Sequence, residues 1–296
     1  MVPGTCLELP CDALSPDVAE RFSRPRPPQG APGVTHSGAF IPVSVFIICF
    51  NEERVIEASL RALSRFQEIL VVDSGSTDRT VDIVEGLSRD GLPVRLIHHD
   101  WTGFGAQKQF ALEQCSLEWA FNVDADEIAE PTLVDAIAKN VASPGENAGF
   151  SVERRHWVPG YGYAHPWVKH DRIVRLVRRA KSYYDTKQTI HESLRVDGAT
   201  GRVAGGYLLH ASIIAPALEF EKQNSYTSLK ASERSARGRR TSPSKMLTAP
   251  IGYFVKFYLL KRYFLCGWGG FAMAAGAASY AYQTEYKSWR AGLDPR

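Results

Sequence analysis

The sequence predicts an α/β protein with a doubly wound, mostly parallel sheet covered by helices on both faces. Short apolar runs such as residues 43–49 alternate with segments of helical periodicity, which is the pattern of such a sheet. The chain has 296 residues and is 44% hydrophobic, so it can bury one large domain with an appendage. We expect that appendage at the C-terminal end, where the composition changes.

Alternating strands and helices are predicted between residues 43 and 123. Residues 43–49 are apolar without interruption, as in a strand buried on both faces. Ile56, Leu60 and Leu63 then recur at helical spacing. The pattern continues with a strand at 68–72, a helix from Ser76, a strand at 94–98, a helix at 106–115 and a strand at 117–123. Right-handed crossovers would join these strands into one sheet.

Beyond residue 148 the pattern is less regular. Residues 149–155 and 172–178 alternate like half-buried strands. The aromatic, turn-rich residues 157–167 between them suit either a substrate-facing loop or an ordinary surface loop.

The N-terminal segment and the bulk composition indicate a cytoplasmic protein. Residues 1–40 are predicted to be a disordered lead-in, because residues 24–33 are rich in proline and glycine. Residues 1–22 lack the basic and apolar segments of a signal peptide. The five scattered cysteines lack metal-site spacing and are expected to be reduced thiols. The net charge of +3 does not indicate nucleic-acid binding, and we expect none.

Residues 216–296 are predicted to form a basic, aromatic helical region. Residues 253–264 combine large aromatics with Lys and Arg, as interfacial membrane helices do. Residues 265–282 carry no formal charge and approach the length of a membrane span, but glycines reduce their hydrophobicity. We expect this region to lie on an anionic membrane surface, with spanning and burial in the core as alternatives.

The paired carboxylates Asp124 and Asp126 are the most informative motif. They follow an apolar strand at i and i+2, so strand alternation would place them on the same side. Adjacent like charges need a cation between them, and a divalent metal that carries a phosphorylated ligand suits this need. The alternative is an acidic turn that caps the next helix.

Polar loops follow each of the predicted strands, at the edge where open α/β sheets bind ligands. Any one of them could simply cap a helix, but four at one edge predict a ligand site. They are Asn51-Glu52-Glu53, the loop from Asp73 to Asp78, the loop from Trp101 to Lys108, and Asp124-Ala125-Asp126.

These motifs together resemble family-2 glycosyltransferases of the GT-A fold, a Rossmann-like mixed sheet that binds nucleotide-diphospho-sugars. The similarity lies in Cys49-Phe50-Asn51-Glu52-Glu53, the run from Val71 to Thr80, Gly103-Phe104-Gly105 with Gln107-Lys108, and Asp124-Ala125-Asp126-Glu127. Downstream, the run from Arg175 to Arg179, His191-Glu192 and the C-terminal segment resemble the lipopolysaccharide core β-glucosyltransferase subgroup. Val177 departs from the aromatic residue expected in that subgroup.

The resemblance covers residues from about 43 to 290 and implies a GT-A domain at 41–215. Its donor half would be 41–127 and its acceptor half 128–215. The implied nucleotide-sugar site comprises Phe50, Asn51, Glu52, Asp73, Ser74, Gly103, Gln107, Lys108, Asp124 and Ala125. Asp73 would accept from the base, Lys108 would lie near the diphosphate, and Asp124 and Asp126 would bind Mg²⁺ or Mn²⁺.

An inverting transfer also needs a base for the acceptor hydroxyl. The candidates are Glu192, which we favour, then Asp171, with His191 beside them. A salt bridge to an arginine is the structural alternative for Glu192. Arg175, Arg178 and Arg179 could contact phosphates of the donor or acceptor.

The implied reaction transfers a hexose, with glucose favoured, from a UDP-sugar to a lipid-linked saccharide such as lipopolysaccharide core. It would take place at the inner face of the cell membrane, with the protein bound peripherally. The alternatives are a polyisoprenyl-phosphate glycosyltransferase, a nucleotidyltransferase, and a non-catalytic, membrane-associated nucleotide-sugar-binding protein.

Overall fold

The computed structural model describes residues 39–185, 194–210, 216–238 and 241–292. Apart from residues 39 and 40, the predicted lead-in lies outside this part of the chain. The strands are β1 (Ile41–Cys49), β2 (Phe66–Asp73), β3 (Val94–His98), β4 (Trp119–Asn122), β5 (Glu127–Ala129), β6 (Asn147–Val158), β7 (Gly162–Tyr163), β8 (Asp171–Arg178), β9 (Ser182–Tyr184), β10 (Leu194–Val196), β11 (Ala199–Arg202) and β12 (Leu208–His210). The helices are α1 (Ile56–Ala62), α2 (Thr80–Arg89), α3 (Phe104–Gln114), α4 (Pro131–Ala142), α5 (Pro216–Ala236), α6 (Pro243–Val255) and α7 (Gly267–Ala291).

A mixed ten-stranded sheet forms the core, in the order β3-β2-β1-β4-β8-β6-β12-β5, with β7 and β11 paired to β6. The first four strands in this order are mutually parallel, as predicted. Val45, Phe46 and Ile47 on the central strand β1 are fully buried, because apolar clusters cover both faces. The chain passes from β3 to β4 on the other side of β1, and this reversal opens a crevice at the strand ends.

The second half of the sheet is antiparallel at its junction with the first. Strand β8 pairs antiparallel with β4, so Asp171 at its start lies toward the end of β4. Arg178 at its other end pairs with Glu118 and stacks on Trp119, and Arg179 bonds the Leu117 carbonyl. The suggestion that Arg178 and Arg179 contact phosphates is therefore wrong, because the strand direction carries both to the opposite edge.

The C-terminal region is helical, as expected. Helices α5 and α7 are joined by an ion pair between Arg234 and Glu285 at 2.8 Å and by Lys287, which donates to the Asn224 carbonyl at 2.7 Å. Helix α6 buries none of its side chains and leads into a π-helical turn, Lys256–Leu260. Within the described residues, no helix has the length and apolar character needed to cross a bilayer.

This region is attached to the sheet near β6 and β8. Tyr263 and Cys266, in the short 3₁₀ helix Tyr263–Cys266, pack against Val158, Ala164 and Val168. The backbone N–H of Lys169 donates to the Lys261 carbonyl at 3.0 Å. The segment before α7 is therefore fixed to the part of the sheet where β8 begins.

Gly206 positions the last strand, β12, and provides a test of the fold. Its φ is +71°, and a Cβ there would lie 2.2 Å from the Leu133 backbone nitrogen. Gly206→Ala should reduce the free energy of unfolding by ~1–2 kcal/mol from the left-handed backbone and by about 1–3 kcal/mol more from the overlap. Urea unfolding measures both terms together.

Gly91→Ala is the matched control, because Gly91 has a φ of +91° with open space around its Cβ. Gly91→Ala should lose only the part of the free energy of unfolding that comes from the left-handed backbone. Equal losses in the two variants would contradict the close packing of Gly206 on the start of α4.

Candidate functional site

The loops after β1 and β2 are bonded to each other at one edge of the crevice. Asn51, in a left-handed conformation with φ 56°, accepts from the Thr77 N–H through its side chain at 2.8 Å. Its own N–H donates to Ser76 Oγ at 2.9 Å, and the Glu52 N–H donates to Thr80 Oγ1 at 2.7 Å. The predicted Asn51 and Glu52 thus hold the second loop in place.

Phe50 lies beside this braced pair of loops with its ring 44% exposed. Such a ring can offer an apolar face to a nucleobase. Gly103, which begins α3, has φ 102° with ψ 154°, a conformation that only glycine adopts readily.

Asp73 and Gln107 stabilise these loops through hydrogen bonds of their buried side chains. Asp73 is buried and accepts from the N–H groups of Gly75 and Ser76, at 2.9 and 3.0 Å. Gln107 is fully buried, and its amide donates to Ser74 Oγ at 3.0 Å and to the His99 carbonyl at 2.9 Å. In the structure Gln107 and Ser74 therefore contact each other and stabilise the loops.

Asp124 is compensated by two cations. The strand β4 ends at Asn122, so Asp124 and Asp126 lie in a turn, and the prediction that strand alternation aligns them is wrong. Arg175 Nη2 lies 2.6 Å from Asp124 Oδ2, and Lys108 Nζ lies 3.1 Å from Asp124 Oδ1. Burial alone would raise the pKa of Asp124, but Arg175 and Lys108 outweigh it and hold that pKa well below its usual range.

Arg175 also binds the groups on either side of Asp124. It donates to the side chain of Asn122 and lies 3.3 Å from Glu127, which is fully buried. Glu127 in turn accepts from the Asp124 N–H at 2.9 Å. Burial would lower the pKa of Arg175, but the carboxylates of Glu127 and Asp124 raise it, so the guanidinium stays charged.

Asp126 has different partners, which form a chain of contacts across the sheet. Asp126 Oδ2 lies 3.1 Å from His210 Nε2, and His210 Nδ1 lies 3.1 Å from His156 Nδ1. His156 Nε2 lies 3.0 Å from Asp171 Oδ2, and Lys261 Nζ lies 2.8 Å from Asp171 Oδ1. The chain joins β12, β6, β8 and the C-terminal region.

These contacts place a ring nitrogen of His210 beside a carboxylate oxygen of Asp126. Each of the three contacts between Asp126, His210, His156 and Asp171 joins two lone-pair atoms, so a hydrogen or a cation must lie between them. A divalent cation on His210 Nε2 and Asp126 would replace the proton between them. Both rings would then be neutral, with Nδ1–H of His210 donating to His156.

Asp126 and His210 therefore fit a divalent cation, and Asp126 is accessible, with its side chain 30% exposed. Mg²⁺ or Mn²⁺ commonly takes few protein ligands and completes its coordination with substrate phosphates. Among the described residues, no group of three or more His, Cys, Asp or Glu side chains has the geometry of a complete metal site. Asp124, already bound to Arg175 and Lys108, is the less suitable of the two predicted ligands.

The remaining predicted residues are placed as follows. Ala125 is buried between the two aspartates, and Asp171 faces His156. His191 and Glu192 lie outside the described residues. The sequence reasoning missed His156, His210 and Lys261, since each is a single residue on a separate element without motif spacing.

Comparisons with known proteins identify the family of this chain. The glycosyl transferase family 2 model matches residues 44–199. The lipopolysaccharide core biosynthesis glycosyltransferase LpsC of Rhizobium meliloti (strain 1021) is 38% identical over 250 residues, 84% of this chain and 93% of that protein. An uncharacterized glycosyltransferase of Rickettsia typhi is 28% identical over 77% of this chain and 80% of that protein.

Among solved structures, the crystal structure of S. aureus TarS 1-349 in complex with UDP covers 86% of this chain and 93% of that chain, with 16% identity and a TM-score of 0.47. The family match spans more than half of the chain and includes the loops described above. The mixed sheet is of the GT-A-like α/β type, and the chain belongs to glycosyl transferase family 2.

Proposed function

We propose that the protein transfers a hexose from a UDP-sugar to a lipid-linked saccharide, with inversion at the anomeric carbon. The observation that carries the proposal is the convergence of Asp126 and His210, beside the compensated Asp124, at the crevice of a family 2 fold. Lipopolysaccharide core is the proposed acceptor class, supported by the name of the Rhizobium meliloti relative. Glucose is proposed as the donor sugar from the resemblance to the core β-glucosyltransferase subgroup.

In this proposal the nucleotide occupies the crevice between the loops after β1 and β4. The exposed ring of Phe50 packs against the base, and the braced loop of Asp73 provides the polar edge. Lys108 and Arg175 keep Asp124 fixed beside the diphosphate. Mg²⁺ or Mn²⁺ at Asp126 and His210 would supply positive charge to the departing nucleoside diphosphate.

The acceptor hydroxyl must lose a proton on the side opposite the leaving group. Glu192 remains our first candidate for this base, with His191 beside it. A polyisoprenyl phosphate acceptor would need no such base, because a phosphate is already ionised. Membership of the glycosyltransferase family removes the nucleotidyltransferase and non-catalytic alternatives.

We propose that the protein acts at the cytoplasmic face of a membrane, where a lipid-linked acceptor would lie. A cluster of aromatic rings at the surface supports this: Phe254, Tyr258, Phe264, Trp268 and Phe271 contact one another with ring centroids 5.3–6.3 Å apart. We call these five residues the aromatic cluster. The Trp268 side chain in this cluster is 85% exposed.

The surroundings of the aromatic cluster favour an anionic lipid surface as its partner. Leu260 beside it is 68% exposed, and exposed Lys256 and Arg262 flank it. No Asp or Glu occurs between Glu233 and Glu285 in the sequence. Exposed aromatics with basic neighbours and no acidic residues match the interface of an anionic bilayer.

The proposed donor site predicts metal-dependent UDP binding. Isothermal titration should show that Mn²⁺ tightens UDP binding, because the cation joins the diphosphate to Asp126 and His210. Asp126→Ala should weaken UDP binding in the presence of Mn²⁺ by about tenfold or more. Asp135→Ala is the control, since Asp135, which lies on α4, forms a surface ion pair with Arg65. UDP affinity indifferent to both Mn²⁺ and Asp126→Ala would refute the proposed site.

The donor sugar is tested separately by hydrolysis of purified UDP- and GDP-sugars. UDP-glucose should be hydrolysed faster than UDP-galactose, UDP-N-acetylglucosamine and GDP-mannose. Faster hydrolysis of another UDP-hexose would replace glucose in the proposal and leave the reaction class intact. Faster hydrolysis of a GDP-sugar would reject the uridine assignment.

The proposed membrane contact is tested by sedimentation with phosphatidylcholine vesicles, with and without phosphatidylglycerol. The protein should bind the anionic vesicles, and the double variant Trp268→Ser, Leu260→Ser should bind them at least about tenfold more weakly, because it removes two inserted apolar side chains. Tyr183→Ser is the control, since Tyr183 is an exposed aromatic on β9. Unchanged binding of the double variant would show that this surface is not the membrane contact.

A further inference from the structure

We propose that Asp171 is a positioning residue which, through Lys261, makes the C-terminal region a part of the acceptor side, and that it is not the general base. The inference rests on the proposed function, since it assigns a role within the same site. It follows from the contacts of Asp171, from the attachment of Lys261, and from the series of side-chain contacts that links Asp171 to Asp126.

Both oxygens of Asp171 are already engaged. Oδ1 lies 2.8 Å from Lys261 Nζ, and Oδ2 lies 3.0 Å from His156 Nε2. Arg154 pairs with Asp171 in the β6–β8 register. Burial, and after it the charge of Asp171, raises the pKa of the Tyr263 hydroxyl. A base must turn a free oxygen toward the acceptor hydroxyl, and both oxygens here are used by donors.

The lowered pKa of Asp171 also argues against a role as the general base. The His156 hydrogen bond lowers the pKa of Asp171 most, followed by the contact with Lys261, and together they hold that pKa well below its usual range despite burial. A general base works best with a pKa near the operating pH, so this carboxylate is poorly suited to accept a proton. It is well suited to remain charged and hold two donors.

Lys261 is held in place by the backbone as well as by its head group. Its carbonyl accepts from the Lys169 N–H at 3.0 Å, just before β8. The next residue, Arg262, has a left-handed φ of 64° and turns the chain into the 3₁₀ helix, where Tyr263 and Cys266 are buried. The position of Nζ is thus determined by the same segment that carries the aromatic cluster.

The chain from Asp171 through His156 and His210 to Asp126 gives this contact a role in the site. With Lys261 removed, Asp171 loses one of its two donors, and His156 and His210 lose a fixed anchor. The C-terminal region therefore contributes a site residue, and the acceptor half extends beyond the predicted boundary at residue 215.

A double-mutant cycle tests this inference on the full-length protein. Asp171→Asn, Lys261→Met and the double variant are compared for hydrolysis of UDP-glucose, or of the UDP-hexose that is hydrolysed fastest. Each single variant should lower kcat by about tenfold. The double variant should lose no more activity than the less active single variant, because both changes break the ion pair between Asp171 and Lys261. Lys261→Arg, which keeps the ion pair, should recover most of the activity.

The pH profile separates a positioning role from a base. If Asp171 were the base, removal of the Lys261 cation would raise its pKa, and the acid limb of kcat/KM would move to higher pH in Lys261→Met. Asp171→Asn would then also lose far more activity than Lys261→Met, about 10²–10⁴-fold. An unmoved acid limb supports the proposal, and a moved limb or fully additive losses overturn it.

Controls keep the outcomes distinct. Lys139→Met removes an exposed lysine in the last turn of α4 and should leave the activity unchanged. UDP binding with Mn²⁺ should persist in the Asp171 and Lys261 variants, whereas its absence in the unaltered protein would mean that the proposed function itself fails. If Asp171→Asn does not fold, the pH profiles of Lys261→Met and Lys261→Arg decide the question alone.

Discussion

The buried guanidinium of Arg175 is the interaction on which the site depends. It lies between Asp124 and Glu127 and also contacts Asn122, so one side chain of β8 holds the turn that follows β4. Removal of one partner from such a buried cluster typically costs about 3–5 kcal/mol, because the remaining charges lose compensation. The cluster therefore fixes the geometry of the turn more than it adds net stability. It also neutralises Asp124, whereas Asp126 contacts His210.

The parallel half of the fold could be predicted because its information is local. Uninterrupted apolar runs and helical spacing identified β1 to β4, and the polar loops that follow them share one edge. The exact ends of the strands were harder to predict. A strand was expected to run through Val123, but β4 ends at Asn122, since the side chain of Glu127 binds the Asp124 N–H and forms a turn. That contact depends on tertiary burial of Glu127, which periodicity does not report.

The second half of the sheet was harder to predict because the residues that meet there come from separated elements. His156, His210 and Lys261 meet only after β6, β8, β12 and the C-terminal segment pair and pack. Histidine and lysine are common surface residues, and nothing in their spacing distinguishes these three. The arginines predicted to contact phosphates show the opposite failure. Their sequence pattern was conspicuous, yet of Arg175, Arg178 and Arg179 only Arg175 contacts Asp124, since β8 is antiparallel to β4.

The position of β12 also determines when the site can assemble. This strand pairs with β5 and β6, and it delivers His210 from more than 80 residues beyond Asp126. During synthesis the two aspartates and the parallel strands β1 to β4 leave the ribosome before the histidine has been made. Lys261 emerges later still. The residues of the crevice are thus synthesised first, and the contacts that run from Asp126 to Lys261 cannot be complete until the C-terminal region has been made.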